Sequence, residues 1–349
     1  MLAVLKKTAA LLIALVAVGA LAACGGLAGK AGNNRHNVPL PSSVTSKLAS
    51  MGSSPGAPMM IRIYKESSEL EVWKQVRSGE YRLLKAYEIC RYSGVLGPKL
   101  QEGDRQAPEG FYTITAGMLN PNSSYYLSFN TGFPNKFDRA HGRTGSNLMI
   151  HGDCSSSGCY AMTDEQIAEI YALARETFAG GNASLQLQIY PFRMTTQNLA
   201  RHASNANMSF WNNLKEGFDH TELSKRPPTW DVCGRRYVFN ATATSGQPLD
   251  AVAACPALTA DATLASRVAA KQQADAQAVA TQVAALETRA AQDAAAAERA
   301  AAEQAAIRQR GQAIGNFVGG VFGGGSEQVE KTFDPSIKAP TPAPRIRRG

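Results

Sequence analysis

Zinc-finger cysteine pairs, RNA-binding signatures and basic recognition helices are absent from the 349-residue sequence, so nucleic acid is not expected as a partner. Apolar runs long enough to cross a bilayer comfortably are missing too; Ala9–Ala23 is too short. Gly and Pro punctuate most of the chain but are absent between Leu258 and Arg310. Acidic residues are outnumbered: 28 Asp and Glu face 36 Lys and Arg, a net charge of +8. The excess suits an anionic partner such as a membrane surface or cell-wall polymer. Part of it sits at the C-terminus, and it selects no class alone.

The first residues are informative. Lys6 and Lys7 precede the apolar run, which closes on Leu21-Ala22-Ala23-Cys24. A basic start, a short apolar core and small residues before a cut describe a secretory signal, residues 1–23. The ending resembles a bacterial lipobox, which implies lipidation of Cys24 and a membrane contact through that anchor. Gly25 follows, where an Asp would imply inner-membrane retention. By that analogy the expected location is the cell envelope, facing the periplasm, with the outer membrane favoured.

Five further cysteines remain: Cys90, Cys154, Cys159, Cys233 and Cys255. In an oxidising compartment an odd number predicts up to two disulfides and one leftover thiol. Cys233 with Cys255 is the pairing expected here. A leftover thiol needs a reason, and catalysis is one.

Residues 24–58 are rich in Gly, Ser, Asn and Pro and read as a flexible tether. From Met59 to Asn240 the pattern is globular. Met60–Lys65 and Glu69–Gln75 read as a hairpin. Further strands are expected in "YRLLKAYEICRYSG", "EGFYTITAGMLN", "YYLSFNTGF", "NLMIHG" and "SLQLQIYPFRM". Thr163 with Gln166 three residues on fits a capping box opening a helix. "TTQNLARHA" and "SFWNNLKEGFDHTE" read as short helices. The expected fold is mainly β with a few helices. A linker, 241–257, then leads to an Ala-rich helix, 258–310, and a Gly/Pro-rich basic tail, 311–349, expected to be disordered. Large apolar residues in that helix do not hold a heptad, so it reads as a solvated spacer.

The stretch "NLMIHGDCSSSGCYAMTDEQIAEIY", Asn147–Tyr171, concentrates the chemistry. A zinc site usually shows two closely spaced ligand pairs, and Cys-x4-Cys without a second pair matches poorly. A Cys154–Cys159 disulfide would consume the thiol that the loop presents. A nucleophile needs a thiol at a sharp turn, an imidazole in reach and backbone N–H donors for an oxyanion. Ser157-Gly158-Cys159 supplies the turn, and the amides of Gly158, Cys159 and Tyr160 are candidate donors. His151, at a strand end eight residues upstream, can take the thiol proton near neutral pH.

Four blocks in order carry a family resemblance: "EGDRQAPEGFYTI", "DRAHGRTGS", "HGDCSSSGCYAMTD" and "YPFRM…FWNNLKEGFD". Together they resemble the L,D-transpeptidase (YkuD-type) catalytic domain, in its YafK-like branch, over roughly Met59–Tyr237. The resemblance implies a β-rich domain with a cysteine nucleophile acting on peptidoglycan stem peptides beside diaminopimelate. The family's Ser-x-Gly-Cys motif falls on Ser156, Ser157, Gly158 and Cys159, which makes Cys159 the nucleophile and leaves Cys154 a structural or disulfide partner. The commoner pattern has His where Ser157 stands, and separates the base from the cysteine by more residues. That leaves His141 as the alternative base, although the "IHG" context falls on His151. Arg143, then Arg139 and Arg105, are candidate carboxylate contacts, with a structural salt bridge as the competing role for Arg143. Neither a metal nor an organic cofactor is needed. The acceptor is an amine in a transpeptidase and water in an amidase, and the branch has been associated with releasing lipoprotein from the wall. An envelope lipoprotein is therefore a possible partner. A wall-binding scaffold with an inactive domain is the non-enzymatic alternative.

Overall fold

The computed structural model describes residues 34–322. Cys24, the leader and residues 323–349 of the tail lie outside the described residues. Two five-stranded sheets organise the domain. The first contains β1 (Met59–Tyr64), β2 (Glu69–Gln75), β3 (Tyr81–Glu88), β5 (Gly110–Thr115) and β10 (Ser184–Tyr190), in the order β3-β2-β1-β10-β5. β1 pairs antiparallel with β2, as the hairpin reading predicts, and parallel with β10. The second sheet holds β4 (Arg91–Tyr92), β6 (Leu119–Asn120), β7 (Ser128–Asn130), β8 (Met149–His151) and β9 (Tyr160–Ala161), in the order β4-β9-β8-β7-β6.

Between the sheets lies a core built from Ile61, Ile63, Val72, Ile114, Phe129, Ile150, Ile170 and Leu187, all fully buried. The short helix α1 (Ser42–Ser50) sits against it, as does α3 (Asp164–Ala179), while α2 (Lys136–Ala140) precedes the second sheet's centre. Thr163 caps α3: its side chain accepts the Gln166 amide, and Gln166 Oε1 accepts the Thr163 amide at 3.0 Å. This reciprocal pairing is the expected capping box. α4 (Thr196–Arg201) and α5 (Met208–Ser224) enclose a second, aromatic cluster with Phe111, Phe137, Tyr190, Trp211 and Tyr237.

Two boundaries differ from expectation. Within the span read as tether, α1 buries Val44 and Leu48, one turn apart on one helix face, so apolar burial holds it to the domain. Within the span read as linker, β13 (Ala241–Ala243) pairs with β14 (Leu258–Ala260), after the hairpin of β11 (Trp230–Cys233) and β12 (Arg236–Phe239). A Cys233–Cys255 disulfide ties the same segment back, the expected pairing.

The Ala-rich helix, α6 (Ala262–Phe322), starts later and runs further than expected. Asp261 accepts the Leu264 amide at 2.8 Å and caps it. Gly311 and Gly315, read as part of the tail, are helical; each costs about 1 kcal/mol relative to Ala, which a long run of strong helix formers can carry. Up to Ala284 the helix belongs to the main unit. There Lys271 and Asp275 join Lys215 and Asp219 of α5 in a charged cluster. Residues 285–349 form a separate unit, whose described part is helix with exposed Leu286 and Ile307. Among the described residues no helix is long and apolar enough to cross a membrane.

Candidate active site

β8 and β9 are parallel neighbours, with Ile150 opposite Tyr160 and His151 opposite Ala161. Parallel neighbours ordinarily need a crossover of about a dozen residues or more. Here residues 152–159 alone make the return. The loop manages it with unusual backbone. Asp153 (φ 64°) and Cys154 (φ 45°) are consecutive left-handed non-glycine residues. Gly158, at φ 123°, adopts a conformation that a side chain would strain. Specific ties hold this path. The Gly152 amide donates to the carbonyls of Tyr125 (3.1 Å) and Leu127 (3.2 Å). The Asp153 amide donates to Asp164 Oδ1 at 2.9 Å, and the Cys154 amide to the Met162 carbonyl at 3.2 Å. Cys154 is disulfide-bonded to Cys90.

The register places Cys159 level with Met149, whose amide donates to Cys159 Sγ at 3.4 Å. His151 lies on the neighbouring strand two residues beyond Met149, and the Cys159 thiol itself donates to the Asn147 carbonyl at 3.7 Å. With the other four described cysteines paired, Cys159 is the free thiol, and it is half-buried. Burial pushes its pKa up from 9.0; the Met149 amide and the charge of Lys99 pull the other way without prevailing. The thiol therefore rests protonated and needs a base.

His151 has the matching character. It is 3 % exposed, with the Tyr125 ring 4.7 Å away. Its Nδ1 lies 2.6 Å from the Gly152 carbonyl, a contact that assigns the proton to Nδ1 and leaves Nε2 a lone pair. Burial lowers its pKa below 6.5, against the opposing pull of the Gly152 carbonyl and Asp153, so at neutral pH the ring is a neutral base.

The oxyanion candidates separate. The Cys159 amide is taken by Ser156 Oγ at 3.0 Å, and Tyr160 lies in the β8–β9 ladder. The Gly158 amide has no acceptor among the described residues. The Tyr160 side chain is structural, its hydroxyl donating to the Pro108 carbonyl at 2.7 Å. Ser157 is exposed.

The basic residues are placed elsewhere. Arg143 is buried, paired with Asp138 Oδ1 at 2.9 Å, with its guanidinium over the Phe137 (5.0 Å) and Phe210 (4.8 Å) rings. Its Nη1 serves the Asp138 pair, which is the structural role that competes with a substrate contact. Arg139 is exposed and donates to the Pro134 carbonyl. Arg105 is exposed, with φ 54°. The His141 ring lies tilted 4.4 Å from Phe137 with Nε2 2.8 Å from the Arg235 carbonyl, which engages it with the β11–β12 hairpin. Three contributors were not singled out from sequence: Lys99, Tyr125 and Met149. Their roles arise from contacts across loops, which no local pattern marks. Beside Met149 opens a groove of about 510 Å³, lined also by Met118, Leu119, Asn120, Asn130 and Phe133. A cavity of about 520 Å³ between α5 and residues 272–280 of α6 contains none of the candidate site residues. No cluster that could hold a metal ion occurs among the described residues.

A free thiol, a neutral imidazole on the adjacent strand and an open backbone amide can together run nucleophilic acyl chemistry. Two β-sheets framing such a pair define the class of an L,D-transpeptidase-type catalytic domain. The model of that domain, YkuD, matches residues 58–180. YafK of Escherichia coli K12, provisionally named an L,D-transpeptidase, is 42% identical over 253 residues, 72% of this chain and 97% of that protein. The chain belongs to the L,D-transpeptidase family. Among solved structures, the helical cell shape determining protein Pgp2 from Campylobacter jejuni is 21% identical, with a TM-score of 0.32, over 48% of this chain and 66% of that one. Bd1075 of Bdellovibrio bacteriovorus is 17% identical, with a TM-score of 0.27, over 48% of this chain and 61% of that one.

Proposed function

We propose that this protein is a cysteine-dependent peptidoglycan acyltransferase with Cys159 as nucleophile and His151 as base. The observation that carries this reading is the unpaired Cys159, held in register one strand from a neutral His151. His151 Nε2 takes the thiol proton as Sγ attacks the carbonyl beside the D-centre of diaminopimelate in a stem peptide. The Gly158 amide faces the developing oxyanion, and the proton passes to the leaving amine. The resulting thioester is resolved by an amine acceptor, which makes a new amide and regenerates the thiol. Resolution by water instead would make the same site an amidase. The lipobox-like leader supports attachment to the envelope membrane through Cys24.

The test is incubation of the purified protein with muropeptides, with and without a lysine-bearing acceptor. Crosslinked or acceptor-linked products support the transferase; only shortened or released stems move the assignment to the amidase. Cys159→Ala should abolish either product, and retained turnover would refute the nucleophile. Cys24→Ala should move the protein out of the membrane fraction; unchanged retention would sink the anchor.

A further inference from the structure

The segment Cys90–Ser93 runs beside the 152–159 loop and touches this region in three ways. Cys90 is bonded to Cys154, with their Cα atoms 5.3 Å apart. Arg91 and Tyr92, strand β4, pair antiparallel with Ala161 and Tyr160 of β9. Ser93 Oγ lies 3.0 Å from Ser156 Oγ.

The third contact has a definite direction. Ser156 donates its hydroxyl proton to the Cys159 carbonyl at 2.6 Å and accepts the Cys159 amide at 3.0 Å. A serine hydroxyl has one proton and two lone pairs. Its proton is spent, so Ser93 must be the donor to Ser156. Ser156 is then saturated, gripping the nucleophile's backbone at both its N–H and its C=O. Ser93 is anchored in turn, since its carbonyl accepts the Ala107 amide at 3.0 Å.

The loop needs such support. It closes a parallel connection in eight residues and carries Asp153 and Cys154 in left-handed backbone. Conformations of that kind persist only where the surroundings hold them. Cys154 is one of the two strained residues, so the disulfide acts at the point of strain. Released, the loop would relax toward ordinary backbone and carry Ser156 and Cys159 with it.

We propose that Cys90–Ser93 is a positioning strap for the nucleophile. Ser93 acts through Ser156 to fix the Cys159 backbone, and the Cys90–Cys154 bond fixes the loop, so acyl transfer requires that pair to be oxidised. The inference rests on Cys159 being the nucleophile. Misplacing a reacting group by about 1 Å can cost roughly a hundredfold in rate.

The test uses the purified protein and two probes of Cys159, each followed by intact mass. Meropenem acylates the thiol: the S–C bond forms, the β-lactam C–N bond breaks, and the ring nitrogen takes the proton. Iodoacetamide alkylates the thiol with loss of iodide and needs no oxyanion site. Ser93→Ala and the Cys90→Ser/Cys154→Ser double variant should each slow meropenem acylation at least tenfold, with alkylation within about twofold of wild type. Ser93→Thr, which keeps the hydroxyl, should recover acylation to within about threefold. Acylation of Ser93→Ala at the wild-type rate overturns the strap, as does an equal loss with both probes, which would mean general loosening. If the double variant does not fold, Ser93→Ala decides alone. Wild-type protein that takes no meropenem overturns the nucleophile and the strap together, whereas normal wild-type acylation with an unaffected Ser93→Ala removes the strap only.

Discussion

Replacing His151 by Gln removes the proposed base while keeping a polar side chain in the site, and the size of the expected effect follows from the surroundings of Cys159. A thiol at its ordinary pKa of 9.0 is about 1% thiolate at pH 7, and burial pushes Cys159 above 9.0. Without a base, attack at pH 7 is therefore limited to less than about one hundredth of the molecules. A positioned general base contributes about 10²–10⁴-fold, so His151→Gln should lower acylation of Cys159 at pH 7 at least a hundredfold. The pH profiles should differ in shape. His151 is held below its usual 6.5, so its basic form predominates above that pH. Wild-type rate should rise through the lowered imidazole pKa, level off near neutral pH and then stay flat to about pH 9. The variant should instead climb steadily with pH until the thiol itself ionises above 9. Stopped-flow or quenched mass spectrometry of carbapenem acylation from pH 5 to 10 reads both curves. A variant within threefold of wild type at pH 7, or a wild-type profile still climbing between about pH 8 and 9, would refute the assignment of His151.

Other substitutions test the scaffold. Lys65 and Glu109 form an ion pair at 3.0 Å with both side chains fully buried, and Glu109 also accepts Trp211 Nε1 at 2.8 Å. Lys65→Met should destabilise the protein by about 3–5 kcal/mol, because it leaves the Glu109 charge buried without its cation; urea denaturation measures this. Arg143→Ala should cost a similar amount by stranding Asp138, with KM for stem peptide unchanged in the protein that remains folded; a raised KM would restore the substrate-contact role. Leu48→Ala should lower stability by about 2–4 kcal/mol if α1 is part of the domain, whereas no change in the denaturation midpoint would return residues 42–50 to the tether.

Local patterns carried much of this architecture. The β1–β2 hairpin was legible because two β-prone runs flank a short polar break, and α3 because its capping box is read from Thr163 and Gln166 alone. Cys159 and His151 could be proposed from sequence because a turn and a strand end sit within one short stretch. Contacts made across the chain were not legible. Ser93 and Ser156 are 63 positions apart, and Cys90 and Cys154 are 64 apart; cysteine pairing does not follow from spacing. Arg143 reads identically in sequence whether it points to solvent or packs against the Phe137 and Phe210 rings. Helix α1 was hidden because only two apolar residues dock it in a segment whose composition is otherwise that of a tether.

The two departures from the commoner family pattern, the short histidine-to-cysteine spacing and Ser157, take different physical weight. Spacing along the chain does not decide whether imidazole and thiol meet; strand register does. His151 ends β8 and Cys159 immediately precedes β9, so the parallel pairing of these two strands brings the two residues into one region, whatever joins them. Shortening the connection changes only what the loop must do to return, and here it returns through left-handed residues, a disulfide and the Ser93–Ser156 contact. Ser157 is another matter. Its side chain is exposed, while the two hydrogen bonds that hold the Cys159 backbone come from Ser156. The loop therefore holds the Cys159 backbone through side-chain hydrogen bonds from Ser156 rather than from residue 157. An imidazole there would stand at the solvent side of the loop, where it can meet substrate or acceptor but has no part in placing the thiol. Changing Ser157 to His should accordingly leave the carbapenem acylation rate within a fewfold of wild type while altering the choice between amine and water as acceptor, and a collapse of acylation would show that residue 157 does shape the nucleophile.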